Sequence, residues 1–153
     1  MDVKENGLYI LSDSYFEKFN TGRMMDNKKE NRPHFFSLQI GGILWMIPIS
    51  SKVEKYRAVI EKSEAAGKKT LFYHIGIISG HESAFLIGDM IPVTRKYIVR
   101  PYMVSGKPYV IENKALLRQL NSKAKRYLTL VEQKRIHPHV DILTIRHTLM
   151  QEG

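Results

Sequence analysis

The chain has 153 residues, no cysteine, and 24 Lys plus Arg against 15 Asp plus Glu, a formal net charge of +9. That length fits one domain, 1–153, with a core that needs no covalent staples, and the lack of cysteine excludes disulfides, thiolate zinc sites and cysteine nucleophiles. The composition is globular (43% hydrophobic, 25% charged), and the excess positive charge predicts attraction to polyanions, nucleic acid above all.

Residues 7–11 (Gly-Leu-Tyr-Ile-Leu) predict a short first strand. Ser14-Tyr15-Phe16-Glu17 matches a capping box and predicts a short helix near 14–20, with Ser14 as the cap. The polar stretch 22–32 predicts a loop carrying Arg23, Lys28, Lys29 and Arg32. Segments 34–40 and 43–49 are apolar and β-prone, and Gly41-Gly42 between them predicts a tight hairpin. A regular ladder closed at that loop sets Ile40 opposite Ile43 and, further down, His34 opposite Ile49.

Ser51-Lys52-Val53-Glu54 is a second capping box and opens a helix in which Val53, Tyr56, Val59 and Ile60 share a stripe. Residues 71–78 and 84–87 predict a second strand pair around Ser79-Gly80-His81-Glu82, and prolines break up an extended stretch over 90–101. Residues 109–111 predict one more short strand. Asn113 caps the best helix, 114–135, where Leu116, Leu117, Leu120, Ala124, Tyr127, Leu128 and Val131 form an apolar stripe. The rest of that helix is strongly basic, with Lys114, Arg118, Lys123, Lys125 and Arg126 offered as a rail for phosphates. A last helix is expected over 140–150. Hairpins outnumber βαβ units, so the expected class is α+β, a twisted, mostly antiparallel sheet packed by helices. The first residues lack the apolar run of a signal peptide, and no apolar run approaches the ~20 residues that cross a bilayer. A cytosolic protein with no membrane partner is expected.

The residues that promise chemistry cluster at the junction Ser50-Ser51-Lys52-Val53-Glu54-Lys55. Free N–H groups at a helix N-terminus, two hydroxyls and two lysines suit a phosphate. With Ser51 as cap, Lys52 and Lys55 share the first turn and oppose the helix dipole, a conflict that an anion relieves. His34, near this junction across the hairpin, is the candidate proton-transfer group. His137-Pro138-His139 with Asp141 is a poor metal motif, since the proline disrupts helical spacing and no further ligand set is evident. No metal or other cofactor is implied. P-loop, dinucleotide, zinc-protease and nucleophile-elbow patterns are absent.

Tyr9-Ile10 through Tyr15-Phe16, then Asn31-Arg32-Pro33-His34-Phe35 with Ile47-Pro48-Ile49-Ser50-Ser51-Lys52, then the run from Phe85-Leu86-Ile87-Gly88-Asp89 to Met90-Ile91-Pro92-Val93, and the helix from Leu116-Leu117 to Tyr127 resemble, in order and spacing, the toxins of type III toxin–antitoxin systems, the ToxN/AbiQ-like endoribonucleases. The run Ser-Ser-Lys-Val-Glu-Lys-Tyr is most similar to the TenpN/CptN branch. The resemblance implies a MazF/Kid-type fold and metal-independent cleavage of cellular RNA by its own 2′-OH, leaving 2′,3′-cyclic phosphate and 5′-OH ends. It also implies a repeated pseudoknot RNA antitoxin that the toxin processes and that inhibits it in a closed symmetric assembly. By the resemblance Ser50 and Ser51 are the hydroxyls of the catalytic turn, either Lys52 or Lys55 is the essential lysine, Tyr15 is the aromatic of the first helix that positions a base or the ribose, and His34 stands where some members have lysine. The residues alone equally allow a non-catalytic RNA-binding module, in which tyrosines stack on bases, and a basic small-molecule enzyme.

Overall fold

The computed structural model describes residues 1–20 and 22–152. Among the described residues, four helices accompany a seven-stranded sheet and a separate β8–β9 ladder: β1 (Leu8–Leu11), α1 (Asp13–Phe19), β2 (Pro33–Ile40), β3 (Ile43–Ser50), α2 (Val53–Ala65), β4 (Tyr73–Ile78), β5 (His81–Leu86), β6 (Ile91–Val93), β7 (Ile98–Pro101), β8 (Met103–Val104), β9 (Lys107–Pro108), α3 (Lys114–Glu132) and α4 (Ile142–Glu152). Single 3₁₀ turns fill Ile87–Asp89 and Arg95–Tyr97. The strand order is β4-β5-β3-β2-β1-β7, with β6 also on β3, and every pairing is antiparallel. This is the expected α+β architecture.

The β2–β3 hairpin closes at Gly41-Gly42, where Gly41 takes φ +61°. Its register differs from the regular ladder. Ile40 faces Ile43 and Leu38 faces Trp45, but a bulge at Ser37 shifts the pairing, so Phe36 faces Met46 and His34 faces Pro48 rather than Ile49. A bulge adds one unpaired residue and bends its strand. Here the extra residue is used: the Ser37 hydroxyl donates to Asn121 Oδ1 of α3 at 2.7 Å.

The sheet packs on both faces. One face carries Phe35 and Phe85, whose rings meet edge to face at 5.8 Å, and lies under α3, which buries Leu116, Leu120, Ala124, Tyr127, Leu128 and Val131. Gly76 of β4 lets α3 approach, since a Cβ there would meet Leu116 Cδ1 at 2.7 Å. The opposite face lies under α1 and α2. Phe16 packs on His34, and Tyr56 packs on Ala84 and Leu86. Helix α4 is fastened at its end by Glu152, which bonds Lys18, Lys96 and the Tyr97 hydroxyl. No helix among the described residues is long and apolar enough to cross a membrane.

Several expected boundaries move. Helix α1 is capped by Ser12, whose side chain accepts from Ser14 N–H, and not by Ser14. Strands β4 and β5 reach Ile78 and His81, so their loop is Ser79-Gly80 alone. Residues 109–111 give only a bridge between Gly7 and Val110. Helix α3 ends at Glu132, and α4 covers Ile142–Glu152. Asn113 caps α3 as expected, accepting from Leu116 N–H at 3.0 Å. Asn113→Ala should therefore lower stability in urea titrations by about 1 kcal/mol, and Asn113→Gly by only a few tenths.

Candidate active site

The bulge decides what stands beside Ser50. Continuing the shifted register two residues past His34 and Pro48 brings Arg32 level with Ser50. Arg32 is 4% exposed, and its Nη1 donates to the Ile49 carbonyl at 2.8 Å while Nε donates to the Asp26 carbonyl. These bonds pull the loop 24–32 onto the end of β3. The loop is strained: Lys28, Lys29 and Glu30 are consecutive left-handed residues, with φ of 51°, 55° and 62°, a conformation that costs non-glycine residues roughly 1–2 kcal/mol each. Buried Asn27 holds it, donating to the Leu11 carbonyl and to Asp13 Oδ1, both at 2.9 Å. Lys28 and Lys29 are thereby presented to solvent, and Arg23 is also exposed.

Ser50 is 3% exposed, and its Oγ accepts from Lys52 N–H at 3.1 Å. Helix α2 thus begins with Lys52 in the cap position and no side-chain hydrogen bond. The Ser51–Glu54 capping box does not form. Ser51 and Lys52 are exposed where the uncapped N–H groups of the first turn emerge. Lys55, also exposed, lies over the Tyr56 ring, its Nζ 5.3 Å from the centroid. Tyr56 in turn packs on Tyr73, with ring centroids 4.9 Å apart.

Asp89 completes the group. It sits in the 3₁₀ turn after β5, half-buried, and burial pushes its carboxyl above the usual carboxylate range, opposed through space by His139, Arg32 and Lys55. Burial first, and then the same carboxylate, pushes the Tyr56, Tyr73 and Tyr127 hydroxyls above the usual phenol range. Beyond the Tyr56–Tyr73 pair a cavity of about 520 Å³ opens, lined by Tyr73, Asp89 and Tyr127 among others. Cations, phenols and one acid therefore converge between the α2 N-terminus and this cavity.

Two expected members lie elsewhere. His34 is 1% exposed and packs on Phe16 at 6.1 Å. Its Nδ1 lies 3.1 Å from the Arg32 carbonyl, which only accepts, so the proton sits on Nδ1. Burial, helped by the Arg32 charge and only partly offset by this bond, lowers the imidazole to about 3 against an ordinary 6.5. His34 is on the site's face of the sheet but sealed beneath it, held neutral and able to brace the Arg32 backbone. Tyr15 is wholly buried, donates its hydroxyl to the Pro92 carbonyl at 2.7 Å and packs on Tyr97. It is a core strut with no reach toward the turn. The apolar stripe expected on α2 also fails, because Val59 is exposed and only Tyr56 is buried.

On α3, Lys114, Arg118 and Lys125 fall within a narrow outer row of the helical wheel and are exposed, with Arg126 on its flank. Lys123 is turned inward instead. Its ammonium donates to the Tyr73 carbonyl at 3.2 Å and to His74 Nδ1 at 3.1 Å. Among the described residues no three His, Asp or Glu side chains converge as a ligand set. Sequence reasoning gave Asp89, Tyr56 and His139 no role in this site. The available signal was Asp89 itself, a lone acid inside the apolar run 85–93 of a basic chain.

No family model and no curated protein matches the chain. Solved structures do. One is AbiQ, a lactococcal anti-phage endoribonuclease of a type III toxin–antitoxin system, with TM-score 0.68 and 14% identity over 98% of this chain and 100% of that one. This chain has the AbiQ fold. Another is from a bacterial antiviral system regulated by a processed non-coding RNA, with TM-score 0.63 and 15% identity over 94% of this chain and 97% of that one. The expected α+β fold and the likeness to an AbiQ-type structure are thus found, over the full length of the AbiQ chain.

The buried His34 makes stability pH-dependent. Its native pKa of about 3 lies below the unfolded 6.5, so below pH 6.5 the unfolded chain binds the extra proton and stability falls with pH, by about 1.4 kcal/mol per unit down to the native value. Between pH 6.5 and 4.5 the protein should lose roughly 2–3 kcal/mol from this residue alone. His34→Leu should flatten that part of the profile in denaturant titrations, whatever its effect at pH 7.

Proposed function

We propose that the chain is an endoribonuclease toxin of a type III toxin–antitoxin system, a single catalytic domain over 1–153 that cuts cellular RNA and is held in check by an RNA antitoxin. The observation that carries this reading is the α2 N-terminus: an uncapped first turn, Ser51 with no internal partner, and Lys52 and Lys55 beside it, in the fold that AbiQ has. Helix N-termini bind anions through free N–H groups and the dipole. With cations added, the turn is suited to the crowded phosphate of a cleavage intermediate.

In the mechanism the 2′-oxygen attacks phosphorus and gives up its proton to water, the P–O5′ bond breaks, and the leaving 5′-oxygen takes a proton. The products are a 2′,3′-cyclic phosphate and a 5′-OH, with no metal required. Ser51, the N–H groups of the turn, Lys52 and Arg32 stabilise the phosphate oxygens. Lys55, beside Tyr56 and within electrostatic reach of Asp89, is assigned the proton for the leaving oxygen. Ser50 shapes the turn by accepting from Lys52 N–H. His34 and Tyr15, both sealed in the core, take no part in proton transfer or ribose positioning. Lys114, Arg118 and Lys125 of α3, with Lys28 and Lys29 of the strained loop, hold the RNA backbone. The antitoxin is proposed as a repeated pseudoknot RNA, processed by the toxin and closing with it into a symmetric assembly. The Ser50–Tyr56 run supports the TenpN/CptN branch.

Protein stripped of nucleic acid and incubated with cellular RNA in excess EDTA should give discrete cuts with cyclic phosphate and 5′-OH ends. Lys55→Ala should slow cleavage by ~10²–10⁴-fold, the range of lost general-acid help, while RNA binding changes little. The triple change of Lys114, Arg118 and Lys125 to Ala should instead weaken binding and lower its log–log salt slope by up to about 2, at ~0.7 per phosphate contact on a single strand. RNA that is bound but stays intact would overturn the catalytic reading and leave an RNA-binding module.

A further inference from the structure

The cavity beyond the tyrosine pair takes no part in the phosphate chemistry above. At about 520 Å³ it falls within the ~300–1,000 Å³ of small-molecule sites. Phe72, Tyr73 and Tyr127 give it aromatic walls, Arg135, His137 and His139 lie on its lining, and Asp89 is the one carboxylate among the lining residues. The Gly88 carbonyl beside Asp89 is already taken by the Tyr127 hydroxyl at 3.0 Å. Asp89 is different: among the described residues no side chain or backbone N–H donates to its carboxylate, although Arg32, Lys55 and His139 act on it through space.

This combination selects its ligand. An ionised carboxylate only accepts hydrogen bonds, and it repels a phosphate. The ligand must therefore bring an N–H donor on a flat ring able to stack on aromatic walls. A nucleobase meets both demands, and stacking on aromatic side chains is how single-stranded RNA bases are commonly held. Tyr73 connects the cavity to the cleavage turn through Tyr56 and Lys55, so a base here belongs to a nucleotide adjoining the phosphate at the turn. We propose that this cavity holds an RNA base next to the scissile phosphate and that Asp89 selects a base carrying an exocyclic amino group. The position of the base along the RNA rests on the endoribonuclease reading; the chemistry of the cavity does not.

The test uses short single-stranded RNAs with 2′-fluoro sugars, which lack the attacking hydroxyl and stay uncut. Three pairs differ only in the amino group: adenine against unsubstituted purine, guanine against hypoxanthine, and cytosine against 2-pyrimidinone. In at least one pair the amino-bearing strand should bind the full-length protein about tenfold more tightly or better, as expected for a hydrogen bond to a charged group. Asp89→Asn should bring that pair within about threefold, while Lys114→Ala should weaken both members equally. All three pairs binding the wild-type protein within about twofold would overturn the inference, without recourse to any variant. If the pairs discriminate but RNA is never cut in EDTA, the base site stands and the endoribonuclease reading falls. If RNA is cut but the pairs bind alike, the base site alone falls.

Discussion

A buried guanidinium holds the site end of this molecule together. Arg32 is almost wholly removed from water, a cost offset by two backbone carbonyls that accept from it and, through space, by Asp26, Tyr56 and Asp89. Arginine suits this position because its rigid fork meets separate acceptors and it does not surrender its proton. The bonds run to Asp26 in the loop and Ile49 at the end of β3, so a single side chain fixes the loop against the strand. Removing it would leave two carbonyls without a donor and free a segment that already carries three left-handed residues. Backbone strain of that kind persists only where the surroundings over-determine it. Asn27, Glu30 and Arg32 supply the over-determination through bonds to Leu11, Asp13 and Ile49.

The sheet then divides its work between two faces. The α3 face is packing: Phe35 on Phe85, Leu116 over Gly76, and Lys123 folded back onto Tyr73 and His74. The opposite face bears His34, Pro48 and Ser50 in alternation, with α1 and α2 laid over it. Because α2 leaves directly from Ser50 and buries only Tyr56, its first turn stands clear of the core. The Tyr56–Tyr73 stack then spans from that turn to the far side of β4, where the cavity opens. Position of the site thus follows from one short helix being poorly amphipathic.

Much of this was legible in residues. Gly41-Gly42 announced the hairpin, Asn113 and the Leu116–Val131 stripe announced α3, and Ser50–Lys55 announced the strand-to-helix junction with its exposed lysines. What stayed hidden depended on partners distant in sequence. Ser37 gives no local sign of a bulge; its reason is Asn121, far along the chain on α3. That one residue changes the neighbour of Ser50 from Pro33 to Arg32. His34 and Tyr15 look like surface groups when judged by type, yet alternation along β2 and the rotation of α1 turn both inward. Asp89 was quoted within an apolar run without a role, since Tyr56, Tyr73 and His139 are assembled around it only by the fold. The α2 capping box failed because Ser50, one residue earlier, captured the Lys52 N–H.

The local rules broken here all break in one place. A capping signature leaves its helix uncapped, two lysines crowd the positive end of the α2 dipole, an arginine is buried, and an aspartate sits half-buried without a donor. Each is unfavourable alone, and sequences that specify one structure usually agree across such levels except where function intervenes. The four conflicts also share one remedy. A nucleotide bound with its phosphate at α2 and its base against Asp89 supplies the missing anion to Lys52, Lys55 and Arg32, and the missing donor to the carboxylate. Phosphate alone satisfies the cations and aggravates Asp89; an amine alone does the reverse. Only a ligand carrying both a charge and an amino-bearing ring relieves every conflict at once, and among biological polymers that description fits a nucleic acid strand. Under the proposed reading, this convergence makes the α2 turn and the cavity two halves of one site for one substrate.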